Sequence, residues 1–447
     1  MTNRASFSSR IGAIAATVGS AVGLGNIWRF PYIAGENGGG AFIIVYIGCV
    51  LLLGIPVMLS EFIIGRSTHL NMRGALKQLS PNSKVHNVAF ICVLGAIITL
   101  GFYSVVCGWG LEYLYQAVAG NLSDHTTAEY SAIFTDFVSS PYRNVLLTVV
   151  FSGIHFFVML GGVRKGVERT SSIMMPMLFV LLVVFCINSM LLPNSGKGLD
   201  FLFNVDFSKL TWRGVVDAFG QAFMSLTLGI AGLITFSSFF KDKAPLVRDA
   251  CTIATLDTLV ALLAGIMIFP AVFSFGMQPE SGPKLVFEVL PNIFQQMPGG
   301  YLWAILFFVL LIFAALTSTI SLSEIPITFI SEEFKTSRKS ATLIVAGITL
   351  VIAVVSALSF NVLSGVSIID KNIFDFLNDL SSNFFMLLGG LFTAIYVGWF
   401  LDKKVITAQL TNHGALRTRI QWLIVFCLRF VAPVAVVLIF LCYVGII

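Results

Sequence analysis

The chain has 447 residues, of which 57% are apolar and only 11% are charged. Soluble proteins carry roughly 25% charged residues, so this chain has too little polar surface to cover several soluble domains. Its seven cysteines include no closely spaced pair, which excludes a zinc ribbon or a disulfide framework. The composition indicates a protein whose helices cross a lipid bilayer several times.

Long stretches with few or no charges predict the membrane-crossing helices. Because about 20 apolar residues are needed to cross the hydrocarbon, we predict eleven spans, numbered in chain order. They are centred near residues 22, 54, 102, 153, 180, 226, 262, 315, 348, 388 and 435. The longest connecting segment, near residues 120–142, has room for one short helix outside the membrane.

The basic residues predict the orientation of these spans. Nineteen of the 27 Lys and Arg residues lie on the side of the N-terminus, six lie on the other side, and Arg29 and Arg429 lie within spans. Connecting segments rich in Lys and Arg stay in the cytoplasm. We therefore expect a cytoplasmic N-terminus and an extracytoplasmic C-terminus. The net charge of +5 reflects this topology and does not indicate a nucleic-acid partner.

Two spans contain glycine and polar residues at the depth where a membrane helix is usually unbroken. Gly19, Gly23 and Gly25 fall within seven residues of span 1 and are followed directly by Asn26. Span 6 mixes Ser and Thr with Gly over residues 225–232. Such glycines either let two helices pack closely or mark an unwound backbone that lines a cavity, and the polar neighbours favour the second reading. Interrupted helices at corresponding positions of two halves are typical of inverted-repeat transporters.

The segments around these glycines resemble the signatures of the neurotransmitter:sodium symporter family, one of the families on which the broken-helix rule rests. The matching segments are GSAVGLGNIWRFP at residues 19–31, ENGGGAF at 36–42, IPVMLSEFIIGR at 55–66, KGVER at 165–169 and ALTST at 315–319. The resemblance runs from about residue 7 to about residue 429. It implies an all-α membrane fold with two inverted five-helix repeats, at residues 11–192 and 212–401, followed by span 11 at residues 418–447. Eleven spans are typical of bacterial members such as the leucine transporter, so we expect the chain in a bacterial inner membrane.

The resemblance implies two sodium ions as the driving cofactors. The first ion is expected to bind the Ala21 carbonyl, the side chains of Asn26 and Ser225, the Asp257 carboxylate and the carboxylate of the substrate. The second is expected to bind the carbonyls of Gly19, Val22 and Ala314 and the hydroxyls of Thr317 and Ser318. Unwound backbone suits this task because its carbonyl oxygens replace the hydration shell of the ion without adding charge.

The resemblance also places a substrate pocket between the two breaks. The expected lining is Ser20, Ala21, Leu24 and Gly25 of span 1, Thr99 and Tyr103 of span 3, Met224, Ser225, Thr227 and Ile230 of span 6, and Ser318 and Leu322 of span 8. Half-helix N-termini favour a carboxylate, and Tyr103 is placed to donate a hydrogen bond to it. Amine-transporting relatives carry Asp where this chain has Gly23. We therefore expect a neutral, hydrophobic or aromatic amino acid, and the alternative is another small amine or amino-acid-like solute.

Four charged residues match the positions that gate transporters of this family. Arg29 and Asp375 correspond to the outer gate pair, and Arg4 and Glu332 correspond to the inner one. The alternative for Arg4 and Glu332 is a solvated surface contact, which stabilises a protein by less than about 1 kcal/mol.

Asp257 bears on whether transport needs an anion. Many relatives carry an amide at this position and bind chloride with a nearby serine, and the leucine transporter has a Glu one helical turn on, where this chain has Ala261. We expect Asp257 to replace the chloride, so that transport is chloride-independent, and to take up a proton as the empty carrier returns. The alternative is a carboxylate that sodium alone balances.

Two other functional classes use different features. A channel or receptor can also line its pore or pocket with broken helices, but it cannot concentrate a solute. The five histidines form no HExxH motif, and the chain has no P-loop and no DxD cluster, so we expect neither an enzyme nor an ATP-driven pump. Sodium-driven symport is the prediction.

Overall fold

The computed structural model of the protein describes residues 6–277, 284–416 and 418–443. Arg4, which we predict at the inner gate, lies outside the described residues. Within them the chain is helical apart from turns and one short antiparallel pair of strands, Ser367–Ile368 with Lys371–Asn372.

Nine helices of the described residues are long and apolar enough to cross a membrane, and the bent pair of span 1 makes a tenth. The divided span 6 stands at the place of the remaining predicted crossing. Spans 2 to 5 are Gly40–Thr68, Lys84–Val118, Pro141–Leu160 and Val163–Met190, and spans 7 to 11 are Leu246–Ser274, Gly300–Glu333, Arg338–Leu358, Ile373–Phe400 and Gln421–Tyr443. Span 1 is divided into two helices, Arg10–Ala21 and Gly25–Glu36, and the second is bent by 51° relative to the first. Span 6 is divided into Trp212–Ser225 and Gly232–Ser237. The predicted fold class, an all-α membrane protein with broken first and sixth spans, is confirmed, and the repeat boundaries stay a prediction.

Short helices occupy several of the connections. They are Met72–Leu79, Thr127–Ser139, Ser195–Phe203, Leu285–Gln295 and Lys403–Leu410. The second of these is the helix expected near residues 120–142. It begins at a capping box in which the Thr126 hydroxyl accepts from the Glu129 N–H and the Glu129 carboxylate accepts from the Thr126 N–H, so two otherwise free donors are satisfied.

Large aromatic side chains fill the interior beside span 3. Trp109 is 1% exposed, and its ring centroid lies 5.3 Å from Phe134, 5.9 Å from Phe287 and 5.6 Å from Phe374. Each such pair stabilises by about 0.5–1.5 kcal/mol beyond the burial of its area. The packing ties span 3, the helix Thr127–Ser139 and span 10 together on the Arg29 side of the bundle.

The break in span 1 leaves backbone groups that the side chain of Asn26 partly satisfies. The first half ends at Ala21, Val22 takes an extended conformation with ψ of 114°, and the helix resumes at Gly25. Asn26 Oδ1 accepts a hydrogen bond from the Gly23 N–H at 3.1 Å. Because unpaired backbone groups are costly inside a membrane, this contact supports the unwound conformation.

The break in span 6 is more strongly distorted. Thr227, Gly229 and Ala231 have φ of +52°, +87° and +64°, and this left-handed conformation costs a residue with a side chain roughly 1–2 kcal/mol. Two contacts hold it. Glu61 Oε1 accepts from the Gly229 N–H at 2.7 Å, and Thr227 Oγ1 donates to the Ser20 carbonyl at 2.8 Å. The second contact joins the two breaks directly.

Gly229→Ala should destabilise the fold. A Cβ atom at this position would lie 1.9 Å from the Met386 carbonyl oxygen and 2.6 Å from the Gly390 nitrogen, so spans 6 and 10 would have to separate. We expect the melting temperature of the detergent-solubilised protein to fall and the monodisperse fraction on size-exclusion chromatography to decrease. The matched control is Gly153→Ala, because nothing lies within 4 Å of a Cβ there. Equal melting temperatures for the two variants would contradict the close approach.

Candidate substrate and sodium site

A central cavity of about 60 Å³ lies between the two breaks. Its lining residues are Ser20, Ala21, Gly23, Gly25, Thr99, Phe102, Tyr103, Met224, Ser225, Thr227, Ile230, Ser318, Leu322, Ser382 and Met386. None of these described residues carries a charge. The cavity therefore combines an apolar wall with hydroxyl groups and the unwound backbone.

The central cavity contains eleven of the twelve residues that the sequence predicts for the pocket, and Leu24 lines the outer cavity next to it. Sequence reasoning missed Phe102, which neighbours Tyr103, as well as Ser382 and Met386 of span 10. Ser382 belongs to a run of three polar residues, 381–383, inside an otherwise apolar stretch, and this run is the signal that could have found span 10.

Tyr103 and Gly23 shape the end of the cavity next to the break in span 1. The Tyr103 hydroxyl oxygen accepts a hydrogen bond from the Leu24 N–H at 3.1 Å, and a tyrosine hydroxyl can also donate to a ligand. A Cβ atom on Gly23 would lie 2.2 Å from Ser318 Oγ and 3.2 Å from the Tyr103 hydroxyl. A side chain at residue 23 would therefore require Ser318 Oγ to move.

Three predicted ligands of the first sodium ion meet in one hydrogen-bonded cluster. Asn26 Nδ2 lies 3.0 Å from Ser225 Oγ and 2.8 Å from Asp257 Oδ1, and Ser225 Oγ donates to Asp257 Oδ2 at 2.6 Å. Asn26 and Asp257 are fully buried, and Ser225 is 1% exposed. The cluster links spans 1, 6 and 7 immediately beside Ala21, which lines the central cavity.

Asp257 is a buried carboxylate to which no basic side chain of the described residues forms an ion pair. Hydrogen bonds from Asn26 and Ser225 replace part of its lost hydration. A buried ionised carboxylate without a cation is nevertheless unfavourable. A bound sodium ion at this cluster would supply the missing positive charge.

The residues predicted for the second sodium ion lie where spans 1 and 8 cross. Ser318 Oγ donates to the Val22 carbonyl at 3.3 Å. Thr317 Oγ1 donates to the Ala314 carbonyl at 3.0 Å. A Cβ atom on Gly19 would lie 3.4 Å from Thr317 Cβ. The structure thus brings all five residues of this prediction to one crossing.

An outer cavity of about 270 Å³ lies next to the central one and shares five lining residues with it, Gly25, Phe102, Tyr103, Met224 and Ser382. Arg29 and Asp375, predicted as the outer gate pair, both line this cavity.

No ion pair formed by the described residues joins Arg29 to Asp375. Arg29 Nη1 donates instead to Gln221 Oε1 at 2.8 Å, and Asp375 accepts from Asn372 Nδ2 at 2.7 Å. The open cavity between the two residues explains why they do not pair in this conformation.

Sequence comparison decides which family this architecture represents. Residues 4–134 and 132–446 match the sequence model of the Sodium:neurotransmitter symporter family. The chain belongs to this family. It is a sodium-dependent transporter.

Individual relatives agree with this assignment. The crystal structure of MhsT in complex with L-phenylalanine is similar over 98% of this chain and 99% of that chain, with a TM-score of 0.90 and 39% sequence identity. YhdH of Bacillus subtilis, an uncharacterized sodium-dependent transporter, is 37% identical over 98% of both chains. The sodium-dependent serotonin transporter of Drosophila melanogaster is 26% identical over 95% of this chain and 74% of its own length. These relatives are transporters and not enzymes.

In this transporter, an aromatic cluster closes the end of the bundle opposite the outer cavity. Phe7 is 2% exposed, and its ring centroid lies 6.2 Å from Phe236 and 5.9 Å from Phe239. Beside it, Arg10 forms an ion pair with Asp249 at 2.5 Å. The segment before span 1 is therefore packed into the bundle at this end.

Glu332, the described member of the predicted inner gate, lies near the same end. Its carboxylate accepts from the Asn71 N–H at 2.8 Å and from Asn71 Nδ2 at 2.9 Å. These bonds fix the carboxylate to the N-terminus of the helix Met72–Leu79. The pairing with Arg4 stays a prediction, because Arg4 lies outside the described residues.

Ser225→Ala tests the cluster around Asp257. The substitution removes a hydrogen bond that joins spans 6 and 7, and interhelical bonds of this kind in membranes stabilise by about 1–2 kcal/mol in model systems. We expect a lower melting temperature than for Ser152→Ala. This control removes a buried hydroxyl that bonds only within its own helix, to the Thr148 carbonyl. If both variants melt at the same temperature, the cluster does not hold spans 6 and 7 together.

Proposed function

We propose that the protein is a sodium-coupled symporter that imports a neutral, hydrophobic or aromatic amino acid. The observation that carries the proposal is the uncharged central cavity between two broken helices. An amino acid carries both a carboxylate and an ammonium group, which can bind the N–H and carbonyl groups of unwound backbone. A cationic amine would need a fixed carboxylate in the cavity. None of the described residues that line the cavity carries a charge, and residue 23 is a glycine.

The cavity offers different partners to the two ends of such a substrate. The hydroxyl of Tyr103 and a sodium ion at the cluster of Asn26, Ser225 and Asp257 would bind the carboxylate. Carbonyl oxygens of the two breaks would accept from the ammonium group. The apolar wall, which includes Ile230 and Leu322, would contact the side chain. The L-phenylalanine bound to MhsT supports a substrate with an aromatic or hydrophobic side chain for the present protein.

Two sodium ions would couple the gradient to the substrate. The first would touch the substrate carboxylate, so each would raise the affinity of the other. The second would bridge spans 1 and 8 at Gly19, Val22, Ala314, Thr317 and Ser318. Such an ion favours the conformation in which the two spans are close, and its release would favour their separation.

The cavities suggest how access alternates. The described residues leave an outer cavity at the Arg29 end, whereas the Phe7 cluster closes the other end. With the N-terminus in the cytoplasm of a bacterial inner membrane, this arrangement faces outward. Import would then require closure around Arg29 and Asp375 and opening of the segment before span 1.

Uptake into proteoliposomes tests the proposal. Purified protein would be reconstituted, and uptake of one radiolabelled hydrophobic amino acid added outside the vesicles would be measured with each of the twenty amino acids as a competitor. Uptake of radiolabelled dopamine and of radiolabelled serotonin would be measured separately. Each would be measured with sodium or choline, and with chloride or gluconate. We expect accumulation against the concentration gradient only in sodium, with competition from hydrophobic or aromatic amino acids. Saturable dopamine or serotonin transport without amino-acid transport would favour the alternative substrate class. Equilibration without accumulation would indicate a channel.

We further propose that transport is chloride-independent because Asp257 supplies the negative charge beside the first sodium ion. The carboxylate is fully buried and is held by Asn26 and Ser225. Asp257→Asn keeps the shape but removes the charge, so we expect uptake by this variant to be weak in gluconate and to rise when chloride is added.

The control for this variant is Asp136→Asn, which changes an exposed aspartate outside the spans. It should transport equally well in gluconate and chloride, like the parent protein. An Asp257→Asn variant that transports at the parent rate without chloride would show that Asp257 is not the substitute for the anion.

A further inference from the structure

The hydroxyl of Ser171 in span 5 is buried and has no partner. Ser171 is 0% exposed, and its Oγ atom forms no hydrogen bond with any described residue. An unpaired hydroxyl in an apolar interior is unfavourable by about 1–3 kcal/mol. A ligand that binds this hydroxyl would offset that cost.

Most buried hydroxyls of the spans avoid this cost by bonding to their own helix. Thr148 Oγ1 donates to the Asn144 carbonyl at 2.8 Å, and Ser321 Oγ donates to the Thr317 carbonyl at 2.9 Å. Such bonds to the preceding turn are the usual solution for Ser and Thr in helices. Ser171 does not use it, so its hydroxyl is free to interact across the space between helices.

That space borders residues predicted for the second sodium ion. A Cβ atom on Gly19 would lie 3.4 Å from Ser171 Oγ and 3.4 Å from Thr317 Cβ. Ser171 and Thr317 therefore face the same point on span 1 from two different helices. Thr317 and Gly19 both belong to the predicted ligand set, whereas Ser171 does not.

The position of span 5 against span 1 is fixed near this point. Span 5 begins with a wide turn, Val163–Glu168. The Glu168 carboxylate accepts from the Ser8 N–H at 2.9 Å and from the Ser9 N–H at 3.2 Å. A Cβ atom on Gly12 would lie 2.0 Å from Glu168 Oε1. The two spans are thus in close contact one to two turns away from Ser171.

We propose that Ser171 Oγ is an additional ligand of the second sodium ion. This inference rests on the proposed function. The predicted set has five oxygens from spans 1 and 8, and Ser171 would add a sixth oxygen from span 5 without adding charge. The ion would then join three spans. Movement of span 5 away from span 1 would remove one ligand and promote release of the ion.

Ser171→Ala tests the proposal through sodium affinity. The sodium concentration that gives half-maximal binding would be measured with ²²Na⁺ and the purified transporter. The sodium concentration that gives half-maximal uptake would be measured with an amino acid that the proteoliposome experiment identifies as a substrate. We expect the half-maximal concentration to rise roughly three- to tenfold, as for one lost polar contact. The substrate KM at saturating sodium should not change, and the melting temperature in sodium-free buffer should not fall, because the substitution removes an unpaired buried hydroxyl. Ser171→Cys, which replaces the hydroxyl with a poor sodium ligand of similar shape, should give the same shift.

The matched control is Ser172→Ala, the next residue, whose side chain is exposed on the outside of the bundle. Its sodium dependence should equal that of the parent protein. Suppose that uptake by the parent protein depends on sodium, but both Ser171 variants have the same half-maximal sodium concentration as the parent. This result would overturn the ligand role of Ser171 and leave the proposed function intact. A parent protein whose uptake does not depend on sodium would overturn the proposed function and the ligand role with it.

Discussion

Backbone N–H and C=O groups inside a membrane must find partners within the protein, because lipid offers none. This constraint governs the two broken spans. Asn26 and Glu61 each accept from a backbone N–H of a break, and Thr227 joins span 6 to the Ser20 carbonyl of span 1. Residues of both breaks line the central cavity. Backbone carbonyls exposed by unwinding suit a sodium ion or the ammonium group of a zwitterion, because both supply a positive partner.

The charges follow the same logic. Most Lys and Arg residues lie outside the spans and set the topology, whereas the few charges within the spans have specific partners. Glu324 is fully buried and is held by Arg338 through two hydrogen bonds, at 2.7 and 2.5 Å. Asp257 has only neutral partners. Glu61 also lacks a basic partner among the described residues, but it accepts from the backbone of the span 6 break. Asp257 instead bonds to Ser225, which lines the central cavity, so it is the carboxylate placed to respond to an ion bound there.

Much of the candidate site could be predicted because glycine and polar residues close together in the sequence indicate the two breaks. The glycines of span 1 and their resemblance to a family located the central cavity and the cluster around Asp257. Features that depend on distance between helices were not predictable. Arg29 contacts Gln221 instead of Asp375, since the outer cavity is open. Met386 lines the central cavity, although an apolar residue in an apolar stretch of span 10 gives no signal of that position.

The central claim is that sodium and substrate complete the unwound backbone of spans 1 and 6. Hydrogen–deuterium exchange of the purified transporter tests it most directly, at residues 22–25 and 226–231, with choline, with sodium, with L-phenylalanine in choline, and with L-phenylalanine in sodium. The account predicts the slowest exchange at both breaks when sodium and L-phenylalanine are present together, and little effect of L-phenylalanine in choline. Equal protection by L-phenylalanine with and without sodium, or no change at either break, would contradict it.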